Sequence, residues 1–199
     1  MQSNSTTRVD SDSRQAAILR AAFDAFTRYG FRRTSMADIA SGVGISRAAL
    51  YLHYRNKEDI YRSLAQEYYA RAERDVVAAL GQSGDAGGVL AAAFAAQGGP
   101  VFEVMLNSPH GAELMDTKFA TSADIAEAGE ARIVVRYGEW LAREGEAGRI
   151  SLEGLGTPEA LAAVMMGALH GLKAGAVDYD GYCGSVAQLA LMFGRALRV

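Results

Sequence analysis

The run from Ser46 to Ala49 contains one long hydrogen-bond donor, the side chain of Arg47. Arg47 carries five N–H donors on a planar guanidinium, a group that can donate two parallel hydrogen bonds to the O6 and N7 atoms of a guanine. Ala48 and Ala49 beside it are small enough to permit close approach to a base edge or to contact a thymine methyl. Taken alone, Arg47 is more often a solvated surface arginine, so its interpretation depends on the element that presents it.

Two helices are predicted before this run. The first is predicted to begin at Ser13 and to end at Gly30, because apolar residues between Ile18 and Tyr29 recur at three- and four-residue steps. Ser35 followed by Asp38 resembles a capping box, with Asp in place of the usual Glu or Gln, and predicts the start of the second helix.

Only a tight turn separates the second helix from the third. The second helix has to end near Gly42, and Gly44 can supply a positive φ angle without steric cost. Ser46 is predicted to cap a third helix whose buried residues are Leu50 and Tyr54. A supporting helix before two short helices and a tight turn indicates a helix-turn-helix, whose last helix places its early residues in the major groove of DNA.

The stretch from Thr34 to Lys57, TSMADIASGVGISRAALYLHYRNK, resembles the DNA-binding signature of TetR-type transcription regulators. The resemblance covers residues 14–64, and its most specific parts lie at 38–40, 44–46, 50–51, 53–54 and 56–57. Such regulators bind double-stranded operator DNA, which implies a set of DNA-binding positions here: Thr34, Ser35, Ser46, Arg47, Ala48, Ala49, Tyr51, His53 and Lys57.

Two roles are expected within this set. Ser46 to Ala49 would face base edges, whereas Tyr51, His53 and Lys57 lie where side chains can reach phosphates. Ser35, at a helix N-terminus, would present its hydroxyl and nearby N–H groups to another phosphate. A partly buried structural role is about as common for a histidine such as His53.

Charge is distributed unevenly along the chain. The net charge is −3, yet residues 1–62 hold ten basic and six acidic residues, whereas residues 63–199 hold ten basic and seventeen acidic ones. A basic segment attached to an acidic remainder is expected when one end of a protein contacts phosphate and the other does not. An architectural DNA-binding protein would be basic throughout, which disfavours that alternative.

The remainder of the chain is predicted to be helical, so the fold is expected to be all-α. Further helices are predicted at about 58–80, 89–97, 100–107, 110–118, 121–145, 157–176 and 183–197, with a glycine-rich loop at 81–88. The predicted organisation begins with a disordered N-terminal tail (1–12) and a helix-turn-helix DNA-binding domain (13–57). The resemblance to TetR-type regulators implies that the remainder (58–199) is a helical ligand-binding and dimerisation domain.

A small-molecule effector that is apolar or aromatic is expected to bind among the middle helices. Met and aromatic side chains there would form an adaptable pocket, with His170 as a polar group: Phe102, Met105, Met115, Phe119, Tyr137, Trp140, Met166 and His170. For any one of them, ordinary core packing is the more common role. Arg132 and Arg136, one turn apart, would either hold a ligand carboxylate or belong to a solvated charged face.

The last two helices are predicted to form a homodimer interface. A stripe of small residues and an apolar face would pair with a second copy as a four-helix bundle: Ala160, Val164, Gly167, Ala168, Gly171, Val186, Leu189 and Phe193. The alternative is that these side chains are buried against their own subunit.

Other classes of protein are not supported by the sequence. No arrangement typical of a catalytic nucleophile, a phosphate-binding glycine loop or a di-metal centre is recognisable, so neither an enzyme nor a metal or other cofactor is predicted. No stretch has the roughly 18 to 20 uninterrupted apolar residues expected of a membrane span. The single cysteine, Cys183, and the polar N-terminus are consistent with a cytoplasmic protein.

Overall fold

The computed structural model describes residues 4–199, with the side chains of residues 13–116 and 120–199. Every regular element in residues 4–199 is a helix, as the sequence predicts. The helices are α1 (Asn4–Tyr29), α2 (Met36–Val43), α3 (Arg47–Tyr51), α4 (Lys57–Leu80), α5 (Ala86–Asn107), α6 (Gly111–Glu146), α7 (Pro158–Ala174) and α8 (Tyr179–Ala196).

The chain divides into two compact units. Unit 1 comprises Met1–Glu67 and Ser108–Ile125, and unit 2 comprises Tyr68–Asn107 and Ala126–Val199. The predicted boundary after residue 57 differs from this division, because unit 1 takes in the first part of α4 and a later segment that includes the beginning of α6.

Direct hydrogen bonds tie residues 108–125 to the rest of unit 1. The Tyr61 hydroxyl donates to the Leu114 carbonyl at 2.6 Å. The guanidinium of Arg62 donates to both carboxylate oxygens of Asp124 at 2.8 and 2.7 Å. These contacts join residues that are more than fifty positions apart, which is why sequence periodicity did not place them together.

The core of unit 1 is built around α1 and three aromatic rings. Phe26, Phe31 and Tyr61 are all buried, and their ring centroids lie 5.1 to 5.9 Å apart. Helix α1 begins at Asn4 rather than at Ser13, and no glycine or proline interrupts it. Residues 4–12, predicted as part of a disordered tail, therefore belong to α1, whereas residues 1–3 lie outside the described residues.

Helix α5 is bent at Gly99, between the two separate helices, 89–97 and 100–107, that the sequence predicts. Gly99 has φ 61° and ψ 176°, and Pro100 begins the second half of the helix.

Helix α5 is long enough and apolar enough to cross a membrane, with a mean hydropathy of 1.5. The bend and the polar Gln97 interrupt that run, however, and a membrane span requires its backbone groups to be hydrogen-bonded throughout.

The core of unit 2 lies largely between α5 and α8. Phe94 is fully buried, and its ring centroid lies 5.7 Å from that of Tyr137 and 6.2 Å from that of Phe193. At the start of α5, the backbone of Gly87 lies directly against Gly194 of α8. The two helices can approach this closely because Gly194 has no side chain at the crossing.

Candidate nucleic-acid interface

Side-chain caps fix the first turns of α2 and α3. The Ser35 hydroxyl accepts from the Asp38 amide at 3.3 Å, and the Asp38 carboxylate accepts from the Ser35 amide at 2.8 Å, which is the predicted capping box. Hydrogen bonds from Ser35 lower the pKa of Asp38 below its ordinary value. The Ser46 hydroxyl accepts from the Ala49 amide at 3.1 Å, so α3 also has its predicted N-cap.

The turn between α2 and α3 has the predicted geometry. Gly44 adopts φ 75°, and its amide donates to the Ser41 carbonyl at 3.1 Å. The amide of Ile45 donates to the Ala40 carbonyl at 3.0 Å. Carbonyls at the end of α2 are thus satisfied within the turn, and the chain reverses into α3 over three residues.

Helix α3 has one buried and one exposed face. Leu50 and the following Tyr54 are buried, as predicted. Arg47, Ala48 and Tyr51 are exposed. The face that unit 1 leaves to solvent is therefore the one on which the sequence places the base-contacting residues.

The guanidinium of Arg47 is oriented by Tyr51, one turn later. Its Nη2 atom donates to the Tyr51 hydroxyl at 3.1 Å, and its Cζ atom lies 5.4 Å from the centre of the Tyr51 ring. The two side chains, predicted to contact a base and a phosphate separately, form one exposed pair.

The other predicted DNA-binding residues differ in exposure. Ser35, Ser46 and His53 are exposed, and Ala49 is half-buried. Thr34 is only 2% exposed. Its hydroxyl donates to the Gly30 carbonyl at 2.7 Å, so this side chain holds the turn before α2 and is not placed to contact DNA.

Lys57 also differs from its predicted role. Its ammonium group donates to the carbonyls of Phe31, Arg32 and Thr34 at 2.7, 3.0 and 3.0 Å. The same nitrogen lies 4.7 Å from the centre of the Phe31 ring. An ammonium has three N–H donors. All three are engaged within unit 1, and Lys57 is placed to fix the α1–α2 loop rather than to bind a phosphate.

Arg32 and Arg33 are candidate phosphate ligands that the sequence reasoning did not select. Both are exposed, and they lie three and two positions before the exposed Ser35, the N-cap of α2. The available signal was a pair of adjacent basic residues just before a helix N-cap, where anions bind favourably.

Gln97 contacts two of the predicted effector residues in unit 2, Tyr137 and Met166. This side chain is 6% exposed, and its Oε1 atom accepts from the Tyr137 hydroxyl at 3.3 Å. Its Nε2 atom lies 3.0 Å from the Met166 sulfur. Sequence reasoning did not select Gln97, although a lone polar residue within the apolar run 89–98 was a usable signal.

Apart from Phe102, the remaining predicted effector residues are not brought together with Gln97. Met115 belongs to unit 1, and the side chain of Phe119 lies outside the described residues. Met105 is half-buried. Trp140 lines a separate cleft of about 220 Å³ in unit 2, between the beginning of α5 and the end of α8. The His170 side chain is about half exposed, with Nδ1 3.6 Å from a carboxylate oxygen of Glu130.

Arg132 and Arg136 belong to a charged face of unit 2. Their guanidinium groups pair with the two carboxylate oxygens of Glu73 at 2.9 and 3.0 Å. The hydrogen bond from Arg132 is the largest contribution that lowers the pKa of Glu73. Of the two alternatives for these arginines, the geometry favours the solvated charged face.

The predicted interface residues of α7 are mostly exposed. Ala160, Val164, Gly167 and Gly171 face solvent, and Ala168 is half-buried. A Cβ atom built on Gly167 or Gly171 meets no atom within 4 Å. These small residues are therefore not required by packing within their own chain.

The predicted interface residues of α8 lie on a different side of that helix. Val186 is buried within unit 2, and Phe193 packs against Phe94. This outcome matches the alternative in which these side chains are buried in their own subunit, because the apolar stripe of α8 faces α5. Leu189 is half-buried and lines a groove of about 490 Å³ with Leu172 and the exposed residues of α8.

Comparison with known proteins identifies the N-terminal segment. Residues 18–64 match the family described as bacterial regulatory proteins, tetR family. The HTH-type transcriptional regulator TtgR of Pseudomonas putida is 38% identical over 58 residues, which cover 29% of this chain and 28% of that protein. The match thus spans less than a third of the length of such curated relatives.

Two solved structures share the fold along most of the chain. A transcriptional regulator from Cytophaga hutchinsonii has a TM-score of 0.75 at 20% identity, covering 92% of this chain and 97% of that one. SmeT, the repressor of the Stenotrophomonas maltophilia multidrug efflux pump SmeDEF, has a TM-score of 0.61 at 22% identity, covering 92% and 88%.

The fold and the exposed α3 define an all-helical protein with an N-terminal helix-turn-helix. Residues 18–64 within it form the segment that matches the tetR family of bacterial regulatory proteins.

Proposed function

We propose that this chain is a cytoplasmic, dimeric transcription regulator that binds a palindromic double-stranded DNA operator through α3 and the residues around it. The observation that carries the proposal is the exposed face of α3, where Arg47 projects from a capped helix within the TetR-type segment. In a helix-turn-helix this face enters the major groove, and two copies read two half-sites.

Selection of bound fragments from random DNA tests this proposal. We expect the recovered sequences to form a palindrome whose half-site centres are separated by whole helical turns of about 10 to 10.5 base pairs. On the selected site, Arg47→Ala should weaken binding by about 1 to 3 kcal/mol and relax the preference at one base position of each half-site.

Arg55→Ala is the matched control for the arginine substitution. Arg55 is also exposed, but it pairs with Asp59 at 2.8 Å at the beginning of α4. Its loss should change the affinities for the selected site and for random DNA by similar factors. Equal losses on both DNAs for Arg47→Ala would show that Arg47 does not read bases.

We further propose that the regulator is a repressor and that an apolar or aromatic small molecule releases it from DNA. SmeT is a repressor, and a SmeT–triclosan complex shows that this structural neighbour binds an aromatic compound. In the present chain, the buried Phe102, Tyr137 and Met166 of unit 2 supply the apolar surroundings that such a compound would need.

Measurement of both affinities tests the proposed response. If a ligand lowers the affinity for the operator, the operator must lower the affinity for the ligand by the same factor, because the coupling free energy is reciprocal. A coupling of about 1 to 3 kcal/mol is typical. A saturating ligand that leaves operator affinity unchanged would instead indicate constitutive DNA binding.

A further inference from the structure

Lys173 of α7 lies in aromatic and neutral surroundings. Its ammonium nitrogen donates to the Gln97 carbonyl at 3.1 Å and to the Tyr68 hydroxyl at 3.2 Å. It lies 5.4 Å from the centre of the Phe102 ring and 5.9 Å from that of Tyr68. The side chain is half-buried. Two of its three N–H donors are thus engaged by neutral oxygens.

Other cations of unit 2 are neutralised differently. Arg132 and Arg136 pair with Glu73, and Arg143 pairs with Glu144 at 3.0 Å. In the described part of the chain, no carboxylate lies within ion-pair distance of Lys173. A partly buried cation is most favourable when an anion pairs with it, so this ammonium is suited to an acidic group from outside the chain.

Tyr182 of α8 supplies a second donor in the same region. It is 4% exposed, and its hydroxyl has no hydrogen-bond partner among the described residues. Burial raises the pKa of this hydroxyl, which keeps it in the protonated, donating form. A buried hydroxyl without a partner is costly unless another molecule accepts its hydrogen bond.

The ring of Phe102 lies beside both Tyr182 and Lys173. Its ring centroid lies 4.8 Å from that of Tyr182 in an edge-to-face arrangement, and the Lys173 ammonium approaches the same ring. Phe102 belongs to the half of α5 that follows the bend at Gly99. The two unsatisfied donors therefore border one aromatic side chain that follows a break in helix geometry.

We propose that the effector is an amphipathic acid whose anionic group is held by Lys173 and Tyr182 and whose flat apolar body lies against Phe102 and Tyr68. This inference rests on the proposed function, because it names the chemical class of the effector. It replaces His170, whose side chain is about half exposed and lies next to Glu130, with Lys173 as the polar group of the site.

A pair of fluorescent probes with similar skeletons tests the proposal. Anilinonaphthalene sulfonate is an anion, and phenylnaphthylamine is its uncharged counterpart. With the full-length protein, we expect the anion to bind at least about tenfold more tightly. Tyr182→Phe should remove about tenfold of anion affinity, the usual contribution of a hydrogen bond to a charged group, and leave the neutral probe unchanged.

Tyr182→Phe is chosen because the hydroxyl that it removes has no partner, so the variant should fold as well as the wild type. Tyr54→Phe is its matched control, since Tyr54 has the other buried hydroxyl without a partner among the described residues and lies in unit 1. Lys173→Met should abolish the preference for the anion, and Lys173→Arg should retain most of it. The control Arg195→Met, an exposed cation on α8, should retain all of it.

Three results would overturn the proposal. These are failure of the anion to bind, equal affinity for both probes in the wild type, and equal changes for both probes in the variants, which indicates a structural role only. The outcome is separate from that of the proposed function. A probe that binds through Lys173 without releasing operator DNA contradicts effector control, and a neutral compound that releases operator DNA supports effector control without the acidic group.

Discussion

Lys57 is placed to hold the loop between α1 and α2 through three hydrogen bonds, and not to bind a phosphate as the sequence predicts. Because the ammonium bridges the carbonyls of Phe31, Arg32 and Thr34, its loss leaves three acceptors without their charged donor. We predict that Lys57→Met lowers the free energy of unfolding by about 2 kcal/mol, the scale of hydrogen bonds to a charged group. Denaturant titration followed by circular dichroism measures this loss.

The salt dependence of DNA binding distinguishes this role from phosphate binding. If Lys57 only fixes the loop, the slope of log affinity against log salt for Lys57→Met should equal that of the wild type. Unchanged stability together with a slope reduced by about 1 per half-site would restore Lys57 as a phosphate ligand. Arg55→Met, which breaks an exposed ion pair, should leave the stability nearly unchanged.

Asp38 links the start of α2 to pH. Folding lowers the pKa of Asp38. The capping box therefore contributes its full stabilisation at pH values above the ordinary carboxyl pKa of about 3.9. This stabilisation is lost as the pH falls through the lowered pKa. We predict that Ser35→Ala returns the titration midpoint of Asp38 towards that ordinary value in carboxyl-carbon NMR. Asp124, whose pKa is lowered by Arg62, should keep its midpoint. An Asp38 midpoint unaffected by the substitution would contradict the assignment.

At the scale of elements, the bend of α5 depends on Gly99. Its φ of 61° and ψ of 176° lie in a region that only glycine adopts readily, and a Cβ there meets no atom within 4 Å. Gly99→Ala should therefore destabilise the protein by about 1 to 3 kcal/mol through backbone strain alone.

Gly138→Ala is the control for this prediction. Gly138 lies within α6, and its Cβ would make ordinary contacts of 3.8 to 4.0 Å. The substitution should leave stability unchanged or raise it by up to about 1 kcal/mol. If Gly99→Ala and Gly138→Ala change the thermal stability equally, a side chain at position 99 does not strain the backbone of the bend.

Local signals accounted for the elements that the sequence predicted well. The caps at Ser35 and Ser46 and the turn at Gly44 each depend on residues close together in the chain. The predicted start of α1 at Ser13 was wrong. Serine is a common N-cap residue, but Ser13 lies inside a helix that begins at Asn4.

Contacts between distant residues explain what the sequence did not provide. The burial of Thr34 and the bonds of Lys57 depend on how α1 and α4 pack, which periodicity does not encode. On α8, Val186 and Phe193 were correctly recognised as one apolar stripe. An amphipathic pattern identifies such a face but not its partner, and here the partner is α5 of the same chain.

At the scale of the whole molecule, the exposed small residues of α7 bear on the proposed dimer. Gly167→Glu places a charge where the isolated chain has open space, so the subunit should fold normally. Across a symmetric interface two such charges would repel. We predict a monomer at micromolar concentration in sedimentation velocity, with weaker operator binding.

Ala131→Glu is the matched control for assembly. Ala131 is an exposed residue of α6, where the same added charge should leave a dimer intact. A Gly167→Glu protein that remains dimeric would show that α7 lies outside the interface. The exposed residues of α8, Gln188 and Met192, would then be the next positions to substitute.

The contact between Gly87 of α5 and Gly194 of α8 restricts which substitutions can be accepted at these two positions during evolution. A Cβ on Gly194 would lie 2.8 Å from the backbone nitrogen of Gly87, which cannot yield as a flexible side chain would. A Cβ on Gly87 would meet nothing closer than 3.7 Å. In a saturation library selected for folded protein, position 194 should return glycine alone, whereas position 87 should accept alanine. Lineages of this protein can therefore drift at one side of the crossing while the other side stays fixed.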